Sequence, residues 1–168
     1  MNKKNKTIAF LGLCTTLALI LAYVEALIPP VFSSIPGIKM GLPNIVIIFV
    51  LYRKGAISAA CVSLLRIILV NILFGNAMAF LYSLAGAMLS LVVMIILKKV
   101  NLLSAVGISV AGGVTHNLGQ VLTAMLLLET SELGYYMVVL TITGTIAGIL
   151  VGLCGSILVK KIPHRIFF

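Results

Sequence analysis

Long apolar runs fill almost the whole chain, and their lengths restrict it to a bundle of membrane-spanning helices. A helix rises about 1.5 Å per residue, so about 20 apolar residues are needed to cross the hydrocarbon core of a bilayer. The spacing predicts six such helices, at residues 7–28, 41–52, 56–74, 77–97, 102–128 and 133–159. The second run is short, and Pro43 near its start fits either the first turn of a helix or a broken entry that lines a cavity.

The segments between these runs are too short for a soluble domain, so residues 1–168 are predicted to form a single transmembrane domain. Charged residues make up 9% of the chain, whereas soluble domains contain about 25%. We therefore predict an all-α integral membrane protein with a six-helix bundle. Its last helix carries a row of small residues at a spacing suited to close contact between helices. The row consists of Gly144, Gly148, Gly152 and Ser156.

The basic residues indicate how the predicted helices are oriented. Ten of the twelve basic residues fall on one side of the membrane: Lys3, Lys4, Lys6, Arg53, Lys54, Lys98, Lys99, Lys160, Lys161 and Arg165. Because cytoplasmic loops carry an excess of Lys and Arg, both termini are predicted to be cytoplasmic, in a multi-pass protein of the plasma membrane. The net charge of +9 thus reflects topology in a lipid bilayer, and no nucleic-acid partner is predicted.

Several classes of function lack the residues that they require. The chain contains no aspartate, and its three acidic residues are Glu25, Glu129 and Glu132. Diphosphate chemistry that depends on Mg²⁺ requires clustered carboxylates, so we predict that the protein is not an enzyme. A Gly-x-x-x-x-Gly-Lys-Ser/Thr loop for ATP is absent from the sequence. The three cysteines are far apart in apolar runs, and neither a metal site nor a cofactor is predicted.

Residues 107–120 carry a dense group of polar side chains within an apolar run. On a helix, Gly112, His116 and Gln120 share one face, and Asn117 lies three residues before Gln120. Polar groups are costly inside a bilayer and usually face the bundle interior or a water-filled cavity. These side chains could therefore orient a ligand, or they could only form hydrogen bonds between helices, which are common in membranes.

Arg66 is the most unusual residue of the apolar runs, because it lies about 16 Å along the third predicted helix, near the bilayer midplane. A midplane arginine costs at least about 2.5–3.5 kcal/mol on insertion scales, and its guanidinium could bind a carboxylate or phosphate through two hydrogen bonds. Depth in the membrane predicts one outer cavity bordered by Arg66, Asn71, His116, Asn117, Gln120, Glu25, Lys39, Asn44 and Asn76. Glu25 could instead be the counter-ion of Arg66 or Lys39.

Four segments of the chain resemble one known family, and the resemblance extends over nearly the whole chain. The segments are residues 37–45, 66–75, 80–86 and 111–120. The Gly-Ile-Lys-x-Gly-Leu and His-Asn-Leu-Gly-Gln motifs within them are the most specific. They resemble the Gx transporter family, which is also labelled heptaprenyl diphosphate synthase component I. That family is similar to the substrate-binding S components of energy-coupling factor (ECF) transporters, six-helix bundles that capture a vitamin-sized solute from outside the cell.

The resemblance implies uptake of a small anionic or amphipathic solute related to a vitamin, an isoprenoid or a quinone. An S component is energised by a transmembrane T component and two ATPase subunits. The T component would contact an Ala-x-x-x-Ala motif, matched here by Ala18 and Ala22, and residues 29–39 would act as an outer gate. The synthase label implies an alternative, a non-catalytic membrane accessory protein of prenyl diphosphate or quinone synthesis with a prenyl synthase as its partner. A third hypothesis is a proton-coupled carrier that works alone through Glu25 or His116.

Overall fold

The computed structural model describes residues 2–27 and 41–162. Within these ranges the chain forms six α-helices and one short 3₁₀ helix, and it contains no strand. The α-helices are α1 (Lys3–Leu27), α2 (Asn44–Lys54), α3 (Ala56–Phe74), α4 (Ala77–Val100), α5 (Ala105–Leu128) and α6 (Met137–Lys161), and the 3₁₀ helix Glu132–Tyr136 directly precedes α6. Each α-helix overlaps one of the predicted runs, so the all-α fold is confirmed.

Four described helical stretches are long and apolar enough to cross a membrane: Lys4–Leu27, Ala56–Phe74, Ala77–Val100 and Glu132–Lys161. This finding confirms the membrane character of the chain. The polar side chains of α5 lower its mean hydropathy, and α2 has only 11 residues. Since 11 residues extend about 16 Å, α2 covers about half of a hydrocarbon core of about 30 Å. Six complete crossings therefore stay a prediction.

The helices pack as a ring in the order α1, α3, α4, α5, α6 and α2, and α2 completes the ring by contacting α1. The short α2 also packs on α3, and its residues 46–51 are all buried. A helix that is apolar on every side is typical of such an enclosed position. All of these α2 residues except Ile48 belong to the hydrophobic core, together with Phe10, Cys14 and Ala18 of α1 and with residues of α3, α4 and α5.

Basic side chains fasten the C-terminal end of α2 to its neighbours. Lys98 Nζ donates a hydrogen bond to the Leu51 carbonyl oxygen at 2.6 Å, and Lys54 Nζ donates to Thr7 Oγ1 at 3.3 Å. Arg53 donates to carbonyl oxygens at the C-terminal end of α6. Cations are favourable there because the last carbonyl groups of a helix carry partial negative charge. We call this part of the molecule the basic end of the bundle.

Glycines bring the backbones of α4, α5 and α6 into contact. A Cβ added to Gly148 of α6 would lie 2.6 Å from Val110 Cα of α5, and one added to Gly119 of α5 would lie 2.9 Å from Gly86 Cα of α4. Gly152 of α6 faces α5 in the same way. The predicted close contact along the small-residue row of α6 is confirmed at Gly148 and Gly152, because a larger side chain would push the two helices apart.

Candidate binding cavity

A cavity of about 640 Å³ lies between the helices, and residues from all six α-helices line it. Asn44 and Ile45 in the first turn of α2 form part of its lining, so the cavity extends beyond the end of this short helix. Sites for small molecules typically measure about 300–1,000 Å³ and combine an apolar lining with a few polar groups. The volume therefore fits a small organic molecule.

The structure brings most of the predicted substrate-binding residues together around this cavity. Those that line it are Glu25, Asn44, Arg66, Asn71, Asn76, His116, Asn117 and Gln120. Lys39 and the predicted outer gate at residues 29–39 lie outside the described residues. The eight residues thus share one cavity, as predicted, and their depths in the membrane and their roles in binding stay predictions.

Arg66 supplies the positive charge of the cavity from α3. Its Nε atom is fully enclosed and has no hydrogen-bond partner among the described residues. The Glu25 carboxylate lies within electrostatic range of the Arg66 guanidinium. Since a guanidinium carries five N–H donors, the described protein groups do not satisfy the whole hydrogen-bonding capacity of Arg66. An enclosed cation with unsatisfied donors is suited to binding the oxygen atoms of an anion.

Glu25 also has a structural role near the C-terminal end of α1. The Gly41 backbone N–H donates a hydrogen bond to Glu25 Oε1 at 2.5 Å. Gly41 has a φ of +71°, a conformation that glycine adopts more readily than other residues. The Asn44 N–H in turn donates to the Gly41 carbonyl oxygen at 2.8 Å. Glu25 therefore holds the turn that leads into α2, and this role is compatible with attraction between Glu25 and Arg66.

Asn71 and Asn76 lie where α3 ends and α4 begins. Asn76 Oδ1 accepts a hydrogen bond from the Ala79 N–H at 2.8 Å and so caps the first turn of α4. Asn71 Oδ1 is enclosed and has no hydrogen-bond partner among the described residues. An enclosed acceptor without a partner is unfavourable, so a ligand with a donor group would satisfy Asn71 and leave the cap by Asn76 intact.

The polar residues of α5 divide between two neighbouring helices. Asn117 is buried, and its Nδ2 donates to the Leu140 carbonyl oxygen of α6 at 2.8 Å. His116 and Gln120 instead pack against Gly86 of α4, where an added Cβ would lie 2.9 Å from Gln120 Cγ. Asn117 therefore links two helices, which was one of the two interpretations of this segment, whereas His116 and Gln120 border both α4 and the cavity.

Replacing Asn117 with alanine is expected to lower the free energy of unfolding by about 1 kcal/mol, because one hydrogen bond between helices is lost. Anion binding should change little. Unfolding in mixed detergent micelles and ligand titration would measure the two effects. Thr115→Ala is a matched control, since the Thr115 hydroxyl donates within its own helix to the Ala111 carbonyl oxygen at 2.7 Å. A large loss of binding at unchanged stability would instead place Asn117 on the ligand.

Four hydroxyl-bearing residues of the cavity were not predicted as site residues. They are Ser83, Ser90, Ser109 and Thr143. Ser90 and Ser109 are buried. The sequence signal for the two residues of α4 was the face shared by Ser83, Gly86 and Ser90, which lie at helical spacing. Ser109 and Thr143 gave no comparable signal, because hydroxyl side chains are common in membrane helices, where they can bond to their own backbone.

Comparison with known proteins identifies the family. The family model of heptaprenyl diphosphate synthase component I matches residues 14–158. The chain belongs to this family. No curated protein and no solved structure matches it. Membership of the heptaprenyl diphosphate synthase component I family confirms the resemblance indicated by residues 37–45 and 111–120, and the likeness of that family to ECF S components stays a prediction.

Ala18 and Ala22 do not form a surface stripe in this member of the heptaprenyl diphosphate synthase component I family. Ala18 is 0% exposed and Ala22 is 9% exposed. Ala18 belongs to the core that α1 forms with α2 and α3, and Ala22 lines the cavity. The two alanines therefore pack inside the bundle in this structure, and docking of a T component on α1 stays a prediction.

The cavity of this heptaprenyl diphosphate synthase component I family member offers one cation and several hydrogen-bonding groups. Glu25 is the carboxylate among its described lining residues. In the part of the chain that the structure describes, no three His, Cys, Asp or Glu side chains are grouped to hold a metal ion. Diphosphate chemistry with Mg²⁺ requires clustered carboxylates. The described lining is therefore better suited to binding an anion than to catalysing Mg²⁺-dependent chemistry on a diphosphate.

Proposed function

We propose that the protein is a substrate-binding subunit of the plasma membrane that takes up a small anionic or amphipathic solute. The observation that carries this proposal is the position of Arg66, which lines a cavity of about 640 Å³ within an apolar bundle and whose Nε atom is enclosed without a hydrogen-bond partner among the described residues. A charged side chain within a membrane-spanning helix is costly and usually marks a functional site. An anion in the cavity would compensate that cost.

The source of energy follows from the sequence. A subunit without a phosphate-binding loop cannot drive uptake by its own ATP hydrolysis. The proposal therefore includes a transmembrane T component and two ATPase subunits, in the manner of an ECF transporter. Because Ala18 and Ala22 are buried, contact with the T component would use the exposed face of α1, where Leu13, Leu17 and Ile20 are each about half exposed.

The family description favours a second candidate function. The name heptaprenyl diphosphate synthase component I describes one part of a synthase. On this alternative, the protein is a non-catalytic membrane accessory of prenyl diphosphate or quinone synthesis, and it binds a prenyl synthase instead of ATPase subunits. The cavity would then hold a lipid-like intermediate or product, and the three carboxylates of the chain would play no part in bond formation.

Native mass spectrometry of the protein, extracted gently from the membrane of its own host, tests both candidates. We expect a complex that contains a small anion, a T component and two ATPase subunits. Protein that carries a prenyl synthase and no ATPase subunit would establish the second candidate. Uptake into vesicles by the purified protein without any ATPase would contradict both and favour a carrier that works alone.

A further inference from the structure

The short α2 leaves the outer part of the bundle without a described helix between α1 and α6. Both helices pack on α2. The contact between Gly155 of α6 and the Ile48 side chain of α2 aligns these two helices. On α2, Asn44 lies four residues, or about 6 Å, before Ile48. On α6, Leu150 lies five residues, or about 7.5 Å, before Gly155. Leu150 therefore lies level with the N-terminal end of α2, and Ile146 lies one turn beyond it.

Residues on both sides of this gap border the cavity and the outside of the bundle at once. Ile146 is 55% exposed and Leu150 is 60% exposed, yet both line the cavity. On the α1 side, Ala26 is exposed and also lines the cavity, next to the small side chain of Ala22. We call the space that the described residues leave between these four residues the side opening. In a membrane-spanning bundle, large exposed apolar side chains face lipid.

We propose that the side opening admits the hydrocarbon chain of a single-chain anionic amphiphile, whose head group binds at Arg66. The proposal rests on the function proposed above and specifies the class of solute. The head group is inferred to be an anion because Arg66 lines the described cavity and its Nε–H has no acceptor among the described residues, even with the Glu25 carboxylate nearby. The apolar side chains of Ile146 and Leu150 identify the remainder of the solute as a hydrocarbon, because a polar group there would face lipid without hydrogen bonds.

Two consequences distinguish this solute from a compact, water-soluble one. The head group would lie enclosed in the cavity, while the chain would pass between α1 and α6 into the outer leaflet. Entry would then occur from the lipid, and the charged head would move only a short distance to reach Arg66. A compact anion would not contact Leu150, so its binding would be insensitive to the size of that side chain.

The test uses the full chain in nanodiscs of zwitterionic lipid, with ethyl phosphate, decyl phosphate and inorganic phosphate as probes. Leu150→Trp fills the side opening. Leu153→Trp is the matched control, because Leu153 is 46% exposed, lies one turn away on α6 and does not line the cavity. We expect Leu150→Trp to weaken decyl phosphate binding about tenfold or more, as exclusion of about two methylene groups would. Ethyl phosphate binding should be retained, and Leu153→Trp should bind both alkyl phosphates like the wild type.

Ile146→Trp provides a second variant if Leu150→Trp does not fold. Equal affinity of wild-type protein for decyl phosphate and inorganic phosphate would overturn the inference, since the chain would then contribute nothing. Unchanged decyl phosphate binding in both tryptophan variants would overturn it too, while ethyl phosphate binding would leave the proposed function intact. If neither alkyl phosphate binds to the wild type, this solute class is excluded, and native mass spectrometry decides the proposed function separately.

Discussion

Replacing Arg66 with alanine is expected to abolish anion binding while the protein still inserts and folds. Removing one member of an enclosed, hydrogen-bonded charge pair costs about 2–5 kcal/mol, which corresponds to a loss of affinity of at least about thirtyfold. Stability should not fall in parallel, because a midplane arginine itself opposes insertion by at least about 2.5–3.5 kcal/mol. Titration of purified variants with ethyl phosphate would measure the affinity, and unfolding in mixed micelles would measure the stability.

Arg53→Gln is the matched control for this experiment. Arg53 is also an arginine with an enclosed Nε atom, but it bonds to carbonyl oxygens at the end of α6 and does not line the cavity. Its replacement should lower stability and leave the affinity of the folded fraction unchanged. Arg66→Lys should recover only part of the lost affinity, because an ammonium group lacks the planar fork of a guanidinium. Wild-type affinity in Arg66→Ala would remove the basis of the proposed function.

The second large effect is expected at the contact between α5 and α6. A side chain at Gly148 would meet backbone atoms, since an added Cβ would lie 2.6 Å from Val110 Cα and 2.9 Å from the Ser109 carbonyl oxygen. Backbone atoms cannot turn aside as a flexible side chain can, so the two helices must separate. We expect Gly148→Val to lower the free energy of unfolding by about 3 kcal/mol, measured by unfolding in mixed micelles.

Gly12→Val separates this effect from the general consequence of adding valine to a helix. Gly12 lies in α1, and an added Cβ there would have no neighbour within 4 Å. The same substitution at Gly12 should therefore change stability little. Equal losses at Gly12 and Gly148 would show that the close contact between α5 and α6 contributes nothing to stability, and the explanation of the small-residue row would have to be abandoned.

The sequence predicted the helices well, because they depend on spacing along the chain, and it predicted eight of the polar residues that line the cavity. The rise per residue alone predicted that Arg66 and His116 both lie from the bilayer midplane outward, and both line the cavity. The direction of a side chain around the helix axis depends on packing between helices, which one sequence does not reveal. Ala18 illustrates the difference, since small residues suit contact with a partner and contact inside the bundle equally well.

Neighbouring residues of the α5 segment show the same limit. His116 and Asn117 follow each other in the chain, so they point in directions about 100° apart on a helix. Asn117 bonds to α6, and His116 packs against Gly86 of α4. The position of each depends on which helices surround α5, and that order is a property of the whole bundle. For the same reason, the short second run predicted a possible broken entry but could not reveal the side opening between α1 and α6.

The glycine contacts of α4, α5 and α6 have a mechanical consequence. Helices in backbone contact cannot slide along each other without first separating, because Gly86, Gly119 and Gly148 each lie against backbone atoms of the neighbouring helix. These three helices therefore form a stiff frame, whereas α1 packs on α2 and α3 through a core that includes the larger side chains of Phe10 and Phe49. We expect loading and emptying of the cavity to proceed by hinge motion of α1 and α3 against this frame, with the pinned C-terminal end of α2 as the pivot.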